Sequence, residues 1–120
     1  MRILGIDPGT ISMGYGVVEV ADNNVTIITC GAITGLAKTP LSQRLFHIYQ
    51  KLEAVIHRFS PEEVAIEEPF VAANARTALA VGRAQAVAML VAAQYSLPVF
   101  IYSPTQIKLA VTSYGGSSKE

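Results

Sequence analysis

The sequence predicts an α/β fold, in which a five-stranded mixed sheet has the order 3-2-1-4-5 and helices pack on its faces. Three observations lead to this prediction. The first third of the chain holds three apolar, β-branched runs separated by turn residues. Helix-spaced apolar runs then alternate with short β-branched runs. Because a helix connects the third and fourth of these strands, the right-handed crossover rule brings strand four beside strand one and parallel to it.

The strands are recognised by β-branched residues between turn residues. Turn chemistry follows strand one at Pro8-Gly9-Thr10, and Asp22-Asn23-Asn24 gives a hairpin turn between strands two and three. The first three strands are therefore expected to form an antiparallel meander. The predicted strands span residues 2–7, 13–20, 25–34, 63–67 and 97–102.

Helix spacing marks two long segments and the start of a third. The first helix is predicted to have Thr39 as its N-cap and Pro40 as its first residue, and Ser60-Pro61 ends it. The second runs from about residue 75 to about residue 95, and a third opens after Ser103-Pro104. We expect one face of the second helix to pack closely, because its residues are small. That face consists of Ala75, Leu79, Gly82, Ala86, Met89 and Ala93.

Length and composition restrict the class of protein. A single domain over residues 1–120 is expected, and 51% hydrophobic with only 15% charged residues excludes a disordered chain. Charged or strongly polar residues interrupt every apolar run before the roughly 20 residues that a membrane span needs, so no membrane contact is expected. The single cysteine, Cys30, is predicted to be a small core residue in a protein of a reducing cytoplasm. Nine basic and nine acidic residues cancel, so nucleic-acid binding must depend on local residues.

Two acidic residues end neighbouring parallel strands of the predicted sheet. Asp7 ends strand one and Glu67 ends strand four. Because such strands lie about 4.8 Å apart, the carboxylates are expected to meet at the edge where α/β sheets bind ligands. They would repel, so one takes up a proton unless a cation neutralises both. Oxygen ligands suit Mg²⁺ or Mn²⁺, which can polarise a phosphate and activate water. The ordinary alternative is that each acid caps a turn or is solvated.

Several segments resemble the bacterial RuvC family of Holliday-junction resolvases, in order and spacing, along the whole chain. They are GIDPGT at 5–10, GYGV at 14–17, AIEEPF at 65–70, NA at 74–75, AL at 78–79, PV at 98–99, QIK at 106–108 and SK at 118–119. The resemblance implies an RNase H-like fold and a homodimer. It also implies Mg²⁺-dependent nicking of two opposed strands of a four-way DNA junction, in recombination and repair. Two metal ions in the complete site, a bacterial cytoplasmic location and the branch-migration partners RuvA and RuvB are implied as well.

Individual residues match functional positions of that family. Asp7 and Glu67 match two of its metal-binding acids. Phe70 matches an aromatic residue that stacks on junction bases, for which the alternative is an ordinary core phenylalanine. Lys108 and Lys119 match basic positions near the DNA, for which the alternative is a solvated lysine.

The remaining polar candidates are judged from their positions on predicted elements. Arg76 and Arg83 are seven residues apart and share one side of the second helix, where phosphate contact and ordinary solvation both stay open. Around Arg83, many relatives carry Gln and Arg in the opposite order. Which phosphate Arg83 would contact therefore also stays open. Glu68 is a weaker metal ligand than Glu67, because consecutive strand residues point to opposite faces. His47 and His57 point to different sides of the first helix and are not expected to form a metal pair.

The family resemblance places the remaining metal acids on an Asp-rich helix beyond residue 120, and no Asp follows Glu68 in this chain. We therefore expect a C-terminally truncated chain that lacks its last helices and cleaves weakly or not at all. Three alternatives stay open. They are a YqgF-like nuclease, an N-terminal fragment of an actin-like ATPase or sugar kinase, and a non-catalytic DNA-binding remnant. The ATPases and sugar kinases share the Gly-Ile-Asp-x-Gly-Thr turn but are much longer.

Overall fold

The sheet has the five predicted strands in the predicted order. The computed structural model describes residues 1–34, 38–68 and 74–102. Its elements are β1 (Arg2–Asp7), β2 (Met13–Ala21), β3 (Asn24–Ile33), α1 (Leu41–Phe59), β4 (Glu63–Glu67), α2 (Ala75–Gln94) and β5 (Val99–Tyr102). The first three strands form an antiparallel meander, β4 runs parallel to β1, and β5 runs parallel to β4. The α/β prediction and the order 3-2-1-4-5 are confirmed, whereas the predicted third helix lies outside the described residues.

A tight turn joins β2 to β3. Asp22 and Asn23 have φ angles of 50° and 68°, in the left-handed region that Asn and Asp tolerate better than most residues. Two consecutive residues of this kind match the twist of the flanking strands in a two-residue hairpin. Farther from the turn, the register shifts between Val17 and Val18, which leaves Ile28 of β3 as the extra residue of a bulge.

Helices α1 and α2 cover one face of the sheet. Leu4 and Ile6 of β1 and Val64 and Ile66 of β4 are buried there. The helices contribute Ile48, Leu52, Val55 and Ile56 from α1 and Ala84, Ala88, Val91 and Ala92 from α2. The strand residues that alternate with the buried ones are all partly or fully exposed. Both described helices therefore lie on the same side of the sheet, and the acids that end β1 and β4 belong to the other side.

Helix α1 begins one residue later than predicted. Pro40 has an extended backbone, with φ −55° and ψ 146°, and occupies the N-cap, so the prediction of Thr39 as the cap is wrong. The fixed φ of proline suits either position, which is why the sequence does not distinguish them. The predicted end of the helix is confirmed at Ser60, whose backbone is left-handed with φ 49°. Its N–H donates to the carbonyl of Ile56 at 2.9 Å.

Helix α2 packs through a different face from the predicted one. Its N-cap is Asn74, whose Oδ1 accepts a hydrogen bond from the backbone N–H of Thr77 at 2.9 Å. The buried residues are three alanines and a valine between Ala84 and Ala92. The predicted packing face, which includes Leu79 and Met89, is exposed. Small residues occur on every side of this helix, so residue size alone does not indicate the buried face.

Cys30 is exposed, so its assignment to the core is wrong. It lies on β3, which is an outermost strand of the sheet. Its cross-strand partner is Gly16, on the side of the sheet that the described helices leave uncovered. Ile33 is the only buried residue of β3, and the apolar composition of this strand therefore does not indicate burial.

Helix α2 has the length and composition of a membrane span, with 20 residues and a mean hydropathy of 1.2. The observation carries little weight, since core helices of globular proteins meet the same criterion. Arg76 and Arg83 interrupt its apolar run, as predicted for every apolar run of the chain.

A hydrogen-bonded cluster joins the end of α2 to α1. The Tyr95 hydroxyl donates to a carboxylate oxygen of Glu53 at 2.5 Å and lies 2.8 Å from Nε2 of His57. The hydrogen bond to Glu53 and the burial of the hydroxyl raise the pKa of Tyr95 to about 12. His57 therefore contacts α2, while His47 lies on another side of α1, and the prediction that they form no metal pair agrees with this arrangement.

We expect Tyr95→Phe to lower the urea midpoint of unfolding, because His57 and Glu53 each lose a hydrogen-bond partner. The pKa of Tyr95 is higher in the folded chain than its ordinary value of 10.0. The contribution is therefore complete below that ordinary value and is lost as the pH rises through about 12. Urea titrations near neutral pH measure the effect, with Tyr49→Phe as the control. Equal midpoints for Tyr95→Phe and the parent chain would contradict the prediction.

Candidate active site

The ends of β1 and β4 bring two carboxyl groups together. Parallel pairing runs from Ile3 opposite Glu63 to Ile6 opposite Ile66. Asp7 and Glu67 are the next residues of the two strands, and their carboxyl groups are close enough for Asp7 to shift the pKa of Glu67. The structure thus places the two predicted acids at one edge of the sheet, at the carboxyl ends of parallel strands.

The electrostatics of the pair favour either a proton or a cation. Burial raises the pKa of Glu67, and the charge of Asp7 and the hydrogen bond that protonated Glu67 can donate to Asp7 raise this pKa further. A carboxyl group with a raised pKa stabilises the fold below its ordinary pKa and loses that contribution as the pH rises through the raised value. The charge of Asp7 therefore disfavours a second charge on Glu67, and a bound cation would relieve the repulsion.

Two glycines shape the space around Asp7. Gly14 of β2 is the cross-strand partner of Asp7, and a Cβ at this position would lie 3.6 Å from the Asp7 Cβ and 4.0 Å from its Oδ2. The missing side chain leaves that flank of the carboxylate open. In the turn after β1, a Cβ at Gly9 would lie 2.3 Å from the carbonyl oxygen of Ser12. The turn therefore closes only with glycine at position 9.

We expect Gly9→Ala to destabilise the fold by about 1–3 kcal/mol, because the added methyl group overlaps a backbone atom and the turn must open. Opening the turn also moves Asp7, so metal affinity should fall with stability. Urea unfolding and Mn²⁺ titration measure the two effects. Gly82→Ala is the matched control, since a Cβ there meets no atom within 4 Å and alanine favours a helix. Equal destabilisation by both changes would contradict the explanation.

The donor set fits a hard divalent cation. Both groups supply carboxylate oxygens, which Mg²⁺ and Mn²⁺ prefer. Within the described ranges there is no cluster of three or more His, Cys, Asp or Glu residues. Asp7 and Glu67 are therefore the acidic ligands that this part of the chain can offer.

The other predicted site residues differ in what the structure describes. Arg76 and Arg83 are exposed on α2, and neither forms an ion pair with a residue of the described ranges. Phe70, Lys108 and Lys119 lie outside the described residues.

The sequence analysis did not consider Tyr102 as a neighbour of the site. Tyr102 ends β5 and is the register partner of Glu67, and its carbonyl accepts the N–H of Glu68 at 2.6 Å. Its ring packs against Phe100 with the centroids 6.5 Å apart. The signal was present in the sequence, because the last residue of a third parallel strand must lie at the same edge as Asp7 and Glu67.

Comparison with known proteins identifies the family. The sequence model of the family described as "Crossover junction endodeoxyribonuclease RuvC" matches residues 3–120. The chain belongs to the RuvC family. A RuvC from Dehalococcoides mccartyi is 51% identical over 120 residues, which are 100% of this chain and 72% of that protein. A RuvC from Chloroflexus aggregans is 47% identical over 119 residues, which are 99% of this chain and 73% of that protein.

A solved structure agrees with the membership of the RuvC family. The structure titled "T. thermophilus RuvC in complex with Holliday junction substrate" superimposes with a TM-score of 0.87 at 33% identity, and covers 96% of this chain and 70% of that one. The fold is therefore RNase H-like. RuvC proteins are named as endodeoxyribonucleases, which are hydrolases that act on DNA. These findings favour RuvC over the actin-like ATPase, sugar kinase and YqgF-like alternatives.

Proposed function

We propose that this chain is the nuclease domain of a Holliday-junction resolvase, which hydrolyses phosphodiester bonds in four-way DNA junctions during recombination and repair. The observation that carries the proposal is the carboxyl pair of Asp7 and Glu67 at the sheet edge of a RuvC fold. A two-carboxylate site at the end of parallel strands suits metal-assisted hydrolysis of a phosphate. No feature of the described residues favours a second reaction at this edge.

Asp7 and Glu67 would hold Mg²⁺, or Mn²⁺ in its place, and the complete site would hold two ions. Such an ion polarises the scissile phosphate and lowers the pKa of a bound water. Asp7 and Glu67 fix the position of that chemistry at the edge of the sheet. Gly14 leaves the flank of Asp7 free for the DNA backbone. A carboxyl group must be deprotonated to hold a metal, and the pKa of Glu67 is raised, so cation binding would be weaker at low pH.

Contacts with DNA are proposed for five residues, which are Phe70, Arg76, Arg83, Lys108 and Lys119. Arg76 and Arg83 are exposed cations on a helix with no acidic residue, so an approaching phosphate meets no like charge there. Phe70 would stack on an unpaired base, which is worth about 1–3 kcal/mol. The roles of Phe70 and the two lysines are supported by the family motif alone.

We also propose a homodimer that uses the exposed face of α2. Leu79 and Leu90 are 55% and 62% exposed there, and a two-fold contact would let each copy cover the same surface of the other. Leu90→Glu is expected to shift the chain to a monomer in sedimentation, with unchanged thermal stability of each protomer. A parent chain that sediments as a monomer at high concentration would contradict the dimer. RuvA and RuvB as partners and a cytoplasmic location are further proposals from the family resemblance, and the organisms of the relatives support a bacterial source.

The test of the proposed function is binding to a labelled four-way junction against a linear duplex that shares one labelled strand with it, at low salt with Ca²⁺ in place of Mg²⁺. We expect at least roughly tenfold tighter binding to the junction, and no effect of ATP on thermal stability. With Mg²⁺, we expect slow nicking or none, because the described residues offer two acidic ligands only. Equal affinity for both DNAs, or stabilisation by ATP, would contradict the proposal. Rapid nicking would contradict the expectation of a weak site.

A further inference from the structure

A cleft of about 500 Å³ lies between α1 and the outer strand β3. It is on the helix-covered side of the sheet. Tyr15, which lines it, lies on the same face of β2 as the core residues Met13 and Val17, and Thr29, which also lines it, is the cross-strand partner of Val17. Asp7 and Glu67 directly follow core residues in their strands, so their side chains lie on the opposite side of the sheet from the cleft. The cleft is therefore separate from the candidate active site, and its function does not depend on that site.

The wall of the cleft that α1 forms is basic. His47, Lys51 and Arg58 line it, and among residues 1–34, 38–68 and 74–102 no Asp or Glu does. At about 100° per residue these three positions fall on one side of the helix. Lys51 and Arg58 are exposed, and neither they nor His47 form an ion pair with a residue of the described ranges. The Arg58 guanidinium lies 5.3 Å from the ring centroid of Phe59, which keeps it beside the cleft.

The opposite wall is the edge of a sheet. β3 is outermost in the strand order and is 10 residues long, with no charged residue and no proline. Natural proteins usually protect such an edge with charges, proline or short length. Ile27 is 68% exposed, and no backbone hydrogen bond beyond the pairing with β2 involves β3 within the described ranges. The edge therefore offers free N–H and C=O groups for a further strand.

We propose that this cleft binds an extended acidic segment of a partner protein, which adds a strand to the edge of β3 and directs its carboxylates at Lys51 and Arg58. Strand addition uses both the N–H and the C=O groups of an edge, whereas a DNA backbone has no donors for the C=O groups. The helical rise from His47 to Arg58 is about 16 Å, which about five residues of a strand span. Acidic residues at alternate positions all face the basic wall, since side chains of a strand alternate.

The test uses a fluorescein-labelled peptide of alternating glutamate and threonine, whose polarisation is measured against the whole chain. We expect the double variant Lys51→Glu with Arg58→Glu to weaken binding at least roughly tenfold. Lys38→Glu, which changes another exposed lysine that does not line the cleft, is the control and should leave the affinity unchanged. Circular dichroism melts establish that all variants fold. Equal affinity of the double variant and the parent would overturn the proposal.

Two further experiments distinguish binding by strand pairing from other modes of binding to the cleft. The same peptide with methylated backbone nitrogens at alternate positions cannot donate along the edge, and we expect it to bind at least roughly tenfold more weakly. Equal binding of both peptides would overturn strand addition. Oligothymidylate of matched charge tests a nucleic-acid ligand. If it displaces the peptide at lower concentration than the unlabelled peptide does, the cleft is a nucleic-acid groove and the proposal is wrong.

Discussion

Changing Asp7 to Asn is expected to lower the affinity of the chain for Mn²⁺ at least roughly 100-fold. Loss of a residue that only supports a metal ligand costs 10–100-fold in affinity, and loss of a ligand should cost no less. The fold should persist, because Asp7 is exposed at the end of its strand. Stability should rise slightly without metal, since the substitution removes the charge that repels Glu67. Mn²⁺ titration followed by electron paramagnetic resonance measures the affinity.

The matched control is Glu68→Gln, which also removes one negative charge next to Glu67. Glu68 is exposed, and since successive strand residues point to opposite faces, its side chain is directed away from Asp7 and Glu67. At a metal concentration of about ten times Kd, the parent should gain about 1.4 kcal/mol in unfolding free energy and the Asp7→Asn variant almost none. The gain should shrink as the pH falls, because a proton competes for Glu67. If Glu68→Gln loses Mn²⁺ binding and Asp7→Asn keeps it, the assignment of the metal site is wrong.

The second large effect concerns the core. Leu4→Ala is expected to lower the unfolding free energy by about 3–4 kcal/mol, because a fully buried leucine leaves a cavity in addition to the lost apolar transfer energy. Leu4 pairs with Val17 of β2 on one side and Val64 of β4 on the other, so rigid backbone surrounds the gap. Urea unfolding near neutral pH measures the change.

Ile11→Ala is the control for that prediction. Ile11 is 51% exposed in the turn after β1, and we expect its truncation to cost less than about 1 kcal/mol. If Leu4→Ala and Ile11→Ala lower the unfolding free energy by the same amount, the core is not organised around β1.

The strand order and the meeting of the two acids were predictable from the sequence because both follow from strong rules. A helix between strands three and four leaves one favoured crossover, and that crossover fixes β4 beside β1. Once these strands are parallel neighbours, Asp7 and Glu67 must share an edge. The boundaries of α1 were close for a similar reason, since its apolar spacing is regular and a serine and proline end it.

Other features could not be predicted, because the residue types there do not distinguish the buried side of an element from its exposed side. Helix α2 carries small residues on every side, so its buried face is decided by the strands that it meets. Cys30 lies in an apolar strand, whose composition predicts burial. However, β3 is the outermost strand, and the face of β3 that points away from α1 is exposed. Tyr102 could be placed at the edge of the sheet from the sequence, but its pairing with Glu67 follows from the register of β5, which the sequence does not give.

The pairing of β1 with β4 also has a kinetic consequence. The hairpins of the meander join segments that are close along the chain and can form early, whereas Asp7 and Glu67 meet only after α1 has carried the backbone across the sheet. Contacts between distant segments form slowly, because closing the long loop costs entropy first. We therefore expect Mn²⁺ to slow unfolding while leaving the refolding rate nearly unchanged, since the ion has no site until the crossover is complete.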